Sequence, residues 1–68
     1  MNDLYYIEYQ IYDVIGQAYV INTGFGILEL GVMENGKVWE EQYLTEHSTI
    51  EQYVEDRFNH VISYTKVL

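Results

Sequence analysis

The chain has 68 residues, a length that fits one domain, residues 1–68, built around a single core. Hydrophobic residues make up 49% of it and proline is absent, which excludes a long disordered polar tail. Cysteine is absent as well, which excludes a disulfide framework and a thiolate metal site. A core this small is marginal, so the fold must gain stability from packing or from association, for example as a homodimer.

The net charge of −8 comes from eleven acidic residues against three basic ones. Because nucleic-acid affinity depends on basic side chains that neutralise phosphates, the sequence argues against direct nucleic-acid binding. A strongly negative surface instead attracts a basic protein partner, although the same charge also serves solubility. The N-terminus, Met1-Asn2-Asp3-Leu4, does not match a secretory signal, and no apolar run is long enough to span a bilayer. We therefore expect a cytoplasmic protein, in the host cytoplasm if viral, without membrane contact.

Alternating residues from 4 to 14 predict a first strand. One face carries the apolar side chains of Tyr5, Ile7, Tyr9 and Ile11, and the other carries Tyr6, Glu8, Gln10 and Tyr12. A tight turn at Ile15-Gly16 or Gly16-Gln17 then leads to a short second strand, Ala18-Tyr19-Val20-Ile21. Thr23-Gly24-Phe25-Gly26 predicts a bend or bulge before a third strand at 27–34.

Asn35-Gly36 is the pair preferred in a type I′ hairpin, and it predicts a turn between the third strand and a fourth at 38–44. A two-residue loop sets the register of the two strands. Val32 then faces Trp39 and Leu28 faces Tyr43 on the core side, Glu29 faces Gln42 on the other side, and Glu41 lies opposite Leu30 on the apolar side. A carboxylate on the apolar side is unusual, so Glu41 lies in a bulge, lies on an exposed edge or has a functional role.

Ser48-Thr49-Ile50-Glu51 matches a capping box and predicts a helix from this point to about Tyr64. Its buried stripe consists of Ile50, Tyr53, Val54, Arg57, Phe58, Val61 and Ile62, and Lys66-Val67-Leu68 trails away beyond it. The predicted fold is α+β, a four-stranded antiparallel meander with one C-terminal helix packed on one face.

Catalytic and metal motifs are not found in the sequence. His47 and His60 lie too far apart for a ligand pair, and His47 with Glu51 supplies two ligands where catalytic zinc usually has three. Gly24-x-Gly26 lacks the rest of a dinucleotide loop, and the neighbours Glu40 and Glu41 point to opposite faces of a strand. We therefore expect no enzyme activity, no cofactor and no metal site.

The abundance of tyrosine and that of acidic residues are the two features that favour binding to another protein. The chain has eight tyrosines, which give a large contact area at low entropic cost, and no Lys or Arg lies between residues 40 and 56. Carboxylates two apart on a strand or four apart on a helix lie roughly 6 to 7 Å apart, comparable to phosphates along a nucleic-acid strand. The candidate partner-binding residues are Tyr6, Tyr12, Glu40, Glu41, Tyr43, Glu46, Glu51, Glu55 and Asp56.

In size, charge and tyrosine content the chain resembles the small acidic inhibitors made by phages, namely anti-CRISPR proteins, anti-restriction proteins and uracil-DNA glycosylase inhibitors. Glu40-Glu41-Gln42-Tyr43 also fits the Glu-x-x-Tyr pattern of some of those glycosylase inhibitors. The resemblance implies an inhibitor that imitates nucleic acid and occludes the basic site of a nucleic-acid-binding protein; it transfers no individual site residue. The alternative is a structural or adaptor subunit that self-assembles through a Tyr-rich sheet face or an edge strand.

Overall fold

The computed structural model describes residues 3–40 and 42–67, which form six β-strands and one α-helix. The elements in chain order are β1 (Asp3–Ile11), β2 (Val14–Asn22), β3 (Ile27–Glu34), β4 (Lys37–Trp39), β5 (Tyr43–Leu44), α1 (Ile50–Arg57) and β6 (His60–Lys66). Paired strands are antiparallel, in the order β4-β3-β2-β1-β6, with β5 also paired to β3. The α+β class with an antiparallel sheet is confirmed, but the prediction of four strands is wrong.

The first hairpin turns earlier than the sequence predicts. β1 and β2 pair up to Ile11 opposite Val14, so the turn consists of Tyr12 and Asp13, with Tyr12 at φ 57°. The prediction of a turn at 15–17 is wrong because Gly16 lies inside β2, opposite Tyr9. A Cβ at Gly16 would come 2.5 Å from Cζ of Tyr9, so this glycine makes room for a buried ring.

The Asn35-Gly36 turn is confirmed. Both residues have positive φ, 51° and 81°, as a type I′ turn requires. Val32 pairs with Trp39 as predicted. The bend at 23–26 before β3 is also confirmed, with positive φ at its two glycines and a hydrogen bond of 3.0 Å from the Thr23 amide to the carbonyl of Gly26.

Beyond Trp39 the predicted register is wrong by one residue. Leu28 pairs with Leu44, not with Tyr43, and Glu29 pairs with Tyr43, not with Gln42. The expected fourth strand is interrupted between Trp39 and Tyr43, which gives the separate strands β4 and β5. The predicted place of Glu41 lies outside the described residues.

A bulge in β3 decides which way Glu29 points. The β2–β3 register shifts at Leu30, since Tyr19 pairs with Gly31 while Val20 pairs with Glu29. Side chains alternate along a strand, so one extra residue exchanges the faces on either side of it. Glu29 is 5% exposed on the core side, and the prediction that it lies opposite the core is wrong.

The helix begins one residue later and ends earlier than predicted. Thr49 is the N-cap, and its hydroxyl accepts a hydrogen bond of 3.2 Å from the Gln52 amide, while the Ser48 hydroxyl donates to the Gln52 side chain at 2.9 Å. The helix ends at Arg57 because Phe58 is extended, with φ −124° and ψ 138°. Within the described ranges no helix is long and apolar enough to cross a membrane.

Residues predicted as the second half of the helix form β6 instead. Val61, Ile62 and Thr65 are β-branched and favour a strand, and pairing with β1 satisfies backbone groups at the edge of the sheet. Lys66 does not trail away, since its Nζ lies 3.4 Å from Oδ1 of Asp3. The prediction of one helix to Tyr64 therefore fails where strand pairing outweighs helical periodicity.

The core lies between α1 and one face of the sheet. Its buried members are Ile7, Tyr9, Ala18, Val20, Ile27, Ile50, Tyr53, Val54 and Phe58. Phe58 stacks on Tyr9, with ring centroids 4.2 Å apart, and Tyr53 meets Phe58 edge-on at 5.7 Å. Of the predicted stripe, Ile50, Tyr53, Val54 and Phe58 are buried in this core, and Arg57 pairs with Glu29. Val61 packs beside the core, whereas Ile62 is 44% exposed.

In the part of the chain that the structure describes, no helix covers the opposite face of the sheet. Strand alternation and the pairing register place about ten apolar or aromatic side chains there. This open sheet face consists of Leu4, Tyr6, Ile15, Tyr19, Ile21, Leu28, Leu30, Met33, Val38 and Leu44, with Glu8, Gln10 and Gln17 at one corner and the polar residues His60, Ser63 and Thr65 along its β6 edge. Tyr6 lies on this face as predicted, whereas Tyr12, which the sequence placed on the same face, lies in the turn of the first hairpin.

Candidate partner-binding site

Four of the predicted acidic residues lie together on the helix side of the molecule. Glu51, Glu55 and Asp56 belong to α1, and Glu46 lies in the loop that precedes it. All four side chains are exposed. Glu51 and Glu55 are one helical turn apart, so their carboxylates extend from the same stripe of the helix. We call these four residues the acidic helix surface.

The remaining predicted residues do not join that surface. Tyr6 lies on the open sheet face, where its ring centroid is 5.1 Å from that of Tyr19. Tyr12 is 91% exposed at the tip of the first hairpin, and Glu40 borders the open sheet face. Glu41 lies outside the described residues. The sequence analysis grouped these residues as one site, but in the fold they lie on separate surfaces.

Tyr43 is the aromatic residue that does lie beside the acids. It is shared, together with Arg57, by two adjoining hollows of about 410 and 620 Å³ between α1 and the β3–β5 strands. The first hollow is lined by Glu29, Val32, Glu34, Trp39, Tyr43 and Arg57, and the second extends to Glu46, His47 and Asp56. Trp39 and Tyr43 are 48% and 61% exposed. We call the two hollows together the helix-side cleft.

Arg57, which lines both hollows of the helix-side cleft, forms an ion pair with Glu29. Nε of Arg57 donates to Oε2 of Glu29 at 3.0 Å, and the Arg57 guanidinium also lies 5.1 Å from the centroid of the Phe58 ring. Partial burial lowers the pKa of Arg57, but the hydrogen bond and charge of Glu29 outweigh it and raise that pKa above its ordinary value. Arg57 is therefore cationic at any physiological pH, and Glu29 has its counter-ion.

Two buried tyrosines lie behind the cleft. The hydroxyl of Tyr9 donates a short hydrogen bond to Glu34, and burial followed by that bond raises the pKa of Tyr9 well above 10. Burial also raises the pKa of Tyr53, and the negative charge of Glu29 adds to the shift. Both tyrosines are therefore neutral near pH 7, and the formal charge of the first hollow, from Glu29, Glu34 and Arg57, is negative.

His47 joins the loop to the helix at the outer end of the cleft. Its Nε2 lies 2.9 Å from Oδ2 of Asp56, and its Nδ1 lies 2.9 Å from the Thr45 hydroxyl. The sequence paired His47 with the carboxylate of Glu51, but the carboxylate that it contacts is that of Asp56. Across the ranges 3–40 and 42–67, no three His, Asp or Glu side chains are grouped closely enough to hold a metal ion.

The cleft is suited to a cationic side chain. Two exposed aromatic rings flank carboxylates, and a Lys or Arg head group gains from both the ring faces and the negative charge. Sequence reasoning missed Trp39, Glu29 and Arg57 as parts of this site, because it placed Trp39 in the core and Glu29 on the opposite face. A carboxylate within the run from Ile27 to Met33, which is apolar apart from Gly31, marks Glu29 as unusual, but the pattern does not show which face of the strand it takes.

No protein-family profile, no curated protein and no solved structure matches this chain.

Proposed function

We propose that this chain is a small protein-binding inhibitor, which docks the acidic helix surface and the helix-side cleft on a basic, nucleic-acid-binding surface of another protein. The observation that carries the proposal is the segregation of charge. Glu46, Glu51, Glu55 and Asp56 are exposed together, while Arg57 beside them is paired with Glu29. A partner therefore meets an excess of carboxylates that can replace the phosphates of a nucleic acid.

The geometry of the helix supports nucleic-acid mimicry. Glu51 and Glu55 lie about 6 Å apart along α1, a spacing close to that of successive phosphates. Lys and Arg side chains arranged to meet a nucleic-acid backbone can therefore meet these carboxylates in turn. Such contacts raise the rate of association and set specificity, and they weaken as salt screens the charges.

The helix-side cleft supplies the anchor that a purely charged surface lacks. A Lys or Arg of the partner that enters between Trp39 and Tyr43 contacts aromatic rings as well as negative charge. Aromatic residues in partly enclosed positions carry a large share of binding energy in protein interfaces. Tyr6 and Tyr12, which the sequence pointed to as anchors, lie away from this site, so the proposal assigns the anchoring role to Trp39 and Tyr43.

A basic peptide tests the site directly, because Trp39 is the only tryptophan in the chain and reports on the cleft. Titration with an arginine-rich peptide should change Trp39 fluorescence, and affinity should fall at least tenfold between about 50 and 500 mM NaCl. The double variant Glu51→Lys, Glu55→Lys should abolish binding. The matched control is the double variant Asp13→Lys, Glu40→Lys, which makes the same change in net charge away from the helix. It should retain most of the affinity for the peptide.

A captured partner tests the inhibitor role. Protein retained from a host lysate by the wild-type chain, but not by the Glu51→Lys, Glu55→Lys variant, should lose its binding to nucleic acid when one equivalent of the chain is added. If the captured protein binds the chain and its nucleic acid at the same time, the proposal of mimicry is wrong. A captured protein without a basic surface would be equally decisive against it.

A further inference from the structure

The open sheet face is the second unusual surface of the molecule. Its central side chains are partly or largely exposed although they are apolar, with Tyr19 at 47%, Met33 at 43% and Val38 at 58% exposure. Around Tyr6, Tyr19 and Leu30 the face is hollowed, with a volume of about 700 Å³. A contiguous apolar surface of this kind on a small protein marks an interaction site.

The area of the face is close to what a stable association needs. Strands lie about 4.8 Å apart and rise about 3.3 Å per residue, so five strands of about seven residues present roughly 550 Å² before side-chain relief is counted. A standard protein interface buries about 800 Å² on each partner, and smaller stable ones about 600 Å². Packing over the whole open sheet face therefore approaches the size of the smaller specific interfaces, and the relief of the side chains adds to its area.

Charge favours a second copy of this chain as the occupant. Within the described ranges, Glu8 is the one carboxylate that strand alternation places on the face itself, at its polar corner, and Glu40 lies at the rim. The acidic helix surface points the other way, across the sheet. Two copies of a chain with net charge −8 can therefore meet through these faces while most of their carboxylates remain far apart in water.

Composition makes the face complementary to itself. It combines aliphatic side chains with the tilted ring pair of Tyr6 and Tyr19, and aromatic rings and aliphatic groups pack well against one another across two stacked sheets. An isologous twofold contact uses the same patch on both subunits and closes without leading to a filament. The small core of a 68-residue chain also gains a second apolar layer in this way.

We propose that two copies of this chain pack their open sheet faces together and form a twofold dimer, with Tyr6, Tyr19, Leu30 and Met33 at the centre of the interface. The dimer is a four-layer arrangement of helix, sheet, sheet and helix. Each acidic helix surface stays on the outside, so the dimer presents two of them on opposite sides. This proposal concerns a different surface from the helix-side cleft, and either one can fail while the other holds.

Sedimentation equilibrium and light scattering test the dimer on the full chain. At about 100 µM we expect twice the 8.1 kDa chain mass for the wild type. Met33→Glu brings a carboxylate from each copy into the interface, so dimer affinity should fall by about a hundredfold or more. Because Met33 is already half exposed, circular dichroism should show that the variant monomer stays folded. Tyr19→Glu should act in the same way.

Tyr43→Glu is the matched control, since Tyr43 is exposed, at 61% against 47% for Tyr19, but lies on the helix side. It should remain dimeric while losing affinity for the basic peptide, which separates the two surfaces. Raising NaCl to about 500 mM should leave the dimer unchanged or tighten it, because salt screens repulsion between the negative subunits.

Two results would overturn the dimer. The first is a wild-type chain that sediments at its single-chain mass at about 200 µM, at both low and high salt. The chain would then be a monomer, and the occupant of the open sheet face would be a different protein. An assembly that survives both Met33→Glu and Tyr19→Glu but dissociates with Ile62→Pro uses the exposed edge of β6, since proline removes an edge hydrogen-bond donor.

Discussion

The two faces of the sheet are built by the same strands and are both largely apolar, yet their surroundings are opposite. On the helix side, Ile7, Ala18 and Val20 are completely buried, whereas Tyr19, the residue between the last two, is 47% exposed on the open sheet face. Strands with apolar side chains on both faces are usual in sheets covered on both sides. The eight-residue helix covers one face and leaves the side chains of the other exposed.

The largest difference between the faces should appear in stability. Tyr53→Ala removes a fully buried ring from the helix side, and we expect it to lower the free energy of unfolding by about 3 to 5 kcal/mol. Tyr19→Ala removes a ring of the same size from the open sheet face and should cost the monomer less than about 1 kcal/mol. Urea denaturation, measured at a concentration where the chain is monomeric, gives both values.

The concentration dependence of Tyr19→Ala sharpens this comparison. Above the dimer dissociation constant, its cost should increase relative to the wild type, because mass action links association to stability. The cost of Tyr53→Ala should not depend on concentration in the same way. Equal effects of the two substitutions in the monomer would mean that the open sheet face is covered within the chain itself.

The next effect concerns the ion pairs. Arg57→Leu leaves Glu29, whose side chain is 7% exposed, without its counter-ion, and we expect a loss of about 2 to 4 kcal/mol. Lys66→Leu breaks the ion pair between Lys66 and Asp3. Their side chains are 54% and 24% exposed, respectively, so the substitution should cost less than about 1 kcal/mol. Thermal unfolding of the two variants, each compared with wild type, measures the difference.

A second substitution identifies the cause of the Arg57 effect. In the Arg57→Leu background, Glu29→Gln removes the buried charge and should recover part of the lost stability. If it recovers nothing, the loss comes from the packing of the Arg57 stem on Phe58 and not from the charge of Glu29.

Local signals predicted the parts of the fold that depend on neighbouring residues. Asn35-Gly36 set a turn that both positive φ values confirm, and the strand at 27–34 has the predicted bounds. The helical stripe was right through Arg57; Phe58 is buried as predicted but extended, and the residues after it form a strand. Val61 and Ile62 fit a helix and a strand equally well by pattern, and the decision came from the available edge of β1, a partner fifty residues away in the chain.

The candidate site was predictable only in part, for the same reason. Glu46, Glu51, Glu55 and Asp56 are close in the chain, so their grouping followed from the helix start alone. Glu29 reached the cleft through a one-residue bulge in β3, which no local sequence pattern announces. Because such a bulge exchanges the faces of a strand, counting from the hairpin placed Leu28 and Glu29 on the wrong sides of the sheet, although Tyr43 lies on the helix side as predicted.

Alkaline pH should affect the helix side selectively. Tyr9 and Tyr53 have raised pKa values in the fold, so folding favours their neutral forms. Stability should therefore be constant below about pH 10, where unfolded tyrosine is also neutral, and should fall above it by up to about 1.4 kcal/mol per pH unit for each tyrosine. Urea unfolding, measured at intervals of about half a pH unit between about pH 9 and about pH 12, follows the loss of stability.

The double variant Tyr9→Phe, Tyr53→Phe is the control for that loss. It keeps both rings in place but cannot ionise there, so its stability should decline much less above about pH 10. A decline equal to that of the wild type would mean that ionisation elsewhere on the strongly negative chain, and not at the two buried rings, limits stability.

The smallest effect compares the two buried hydroxyls directly. Tyr9→Phe loses the hydrogen bond to Glu34 and should cost about 1 kcal/mol. The Tyr53 hydroxyl is buried without a hydrogen-bond partner among the described residues, so Tyr53→Phe removes an unsatisfied polar group and should leave stability unchanged or raise it by up to about 1 kcal/mol. Urea midpoints of the two single variants give the sign. A clear loss in Tyr53→Phe would mean that the hydroxyl has a hydrogen-bond partner in solution, and Glu29, whose charge raises the pKa of Tyr53, is the first candidate.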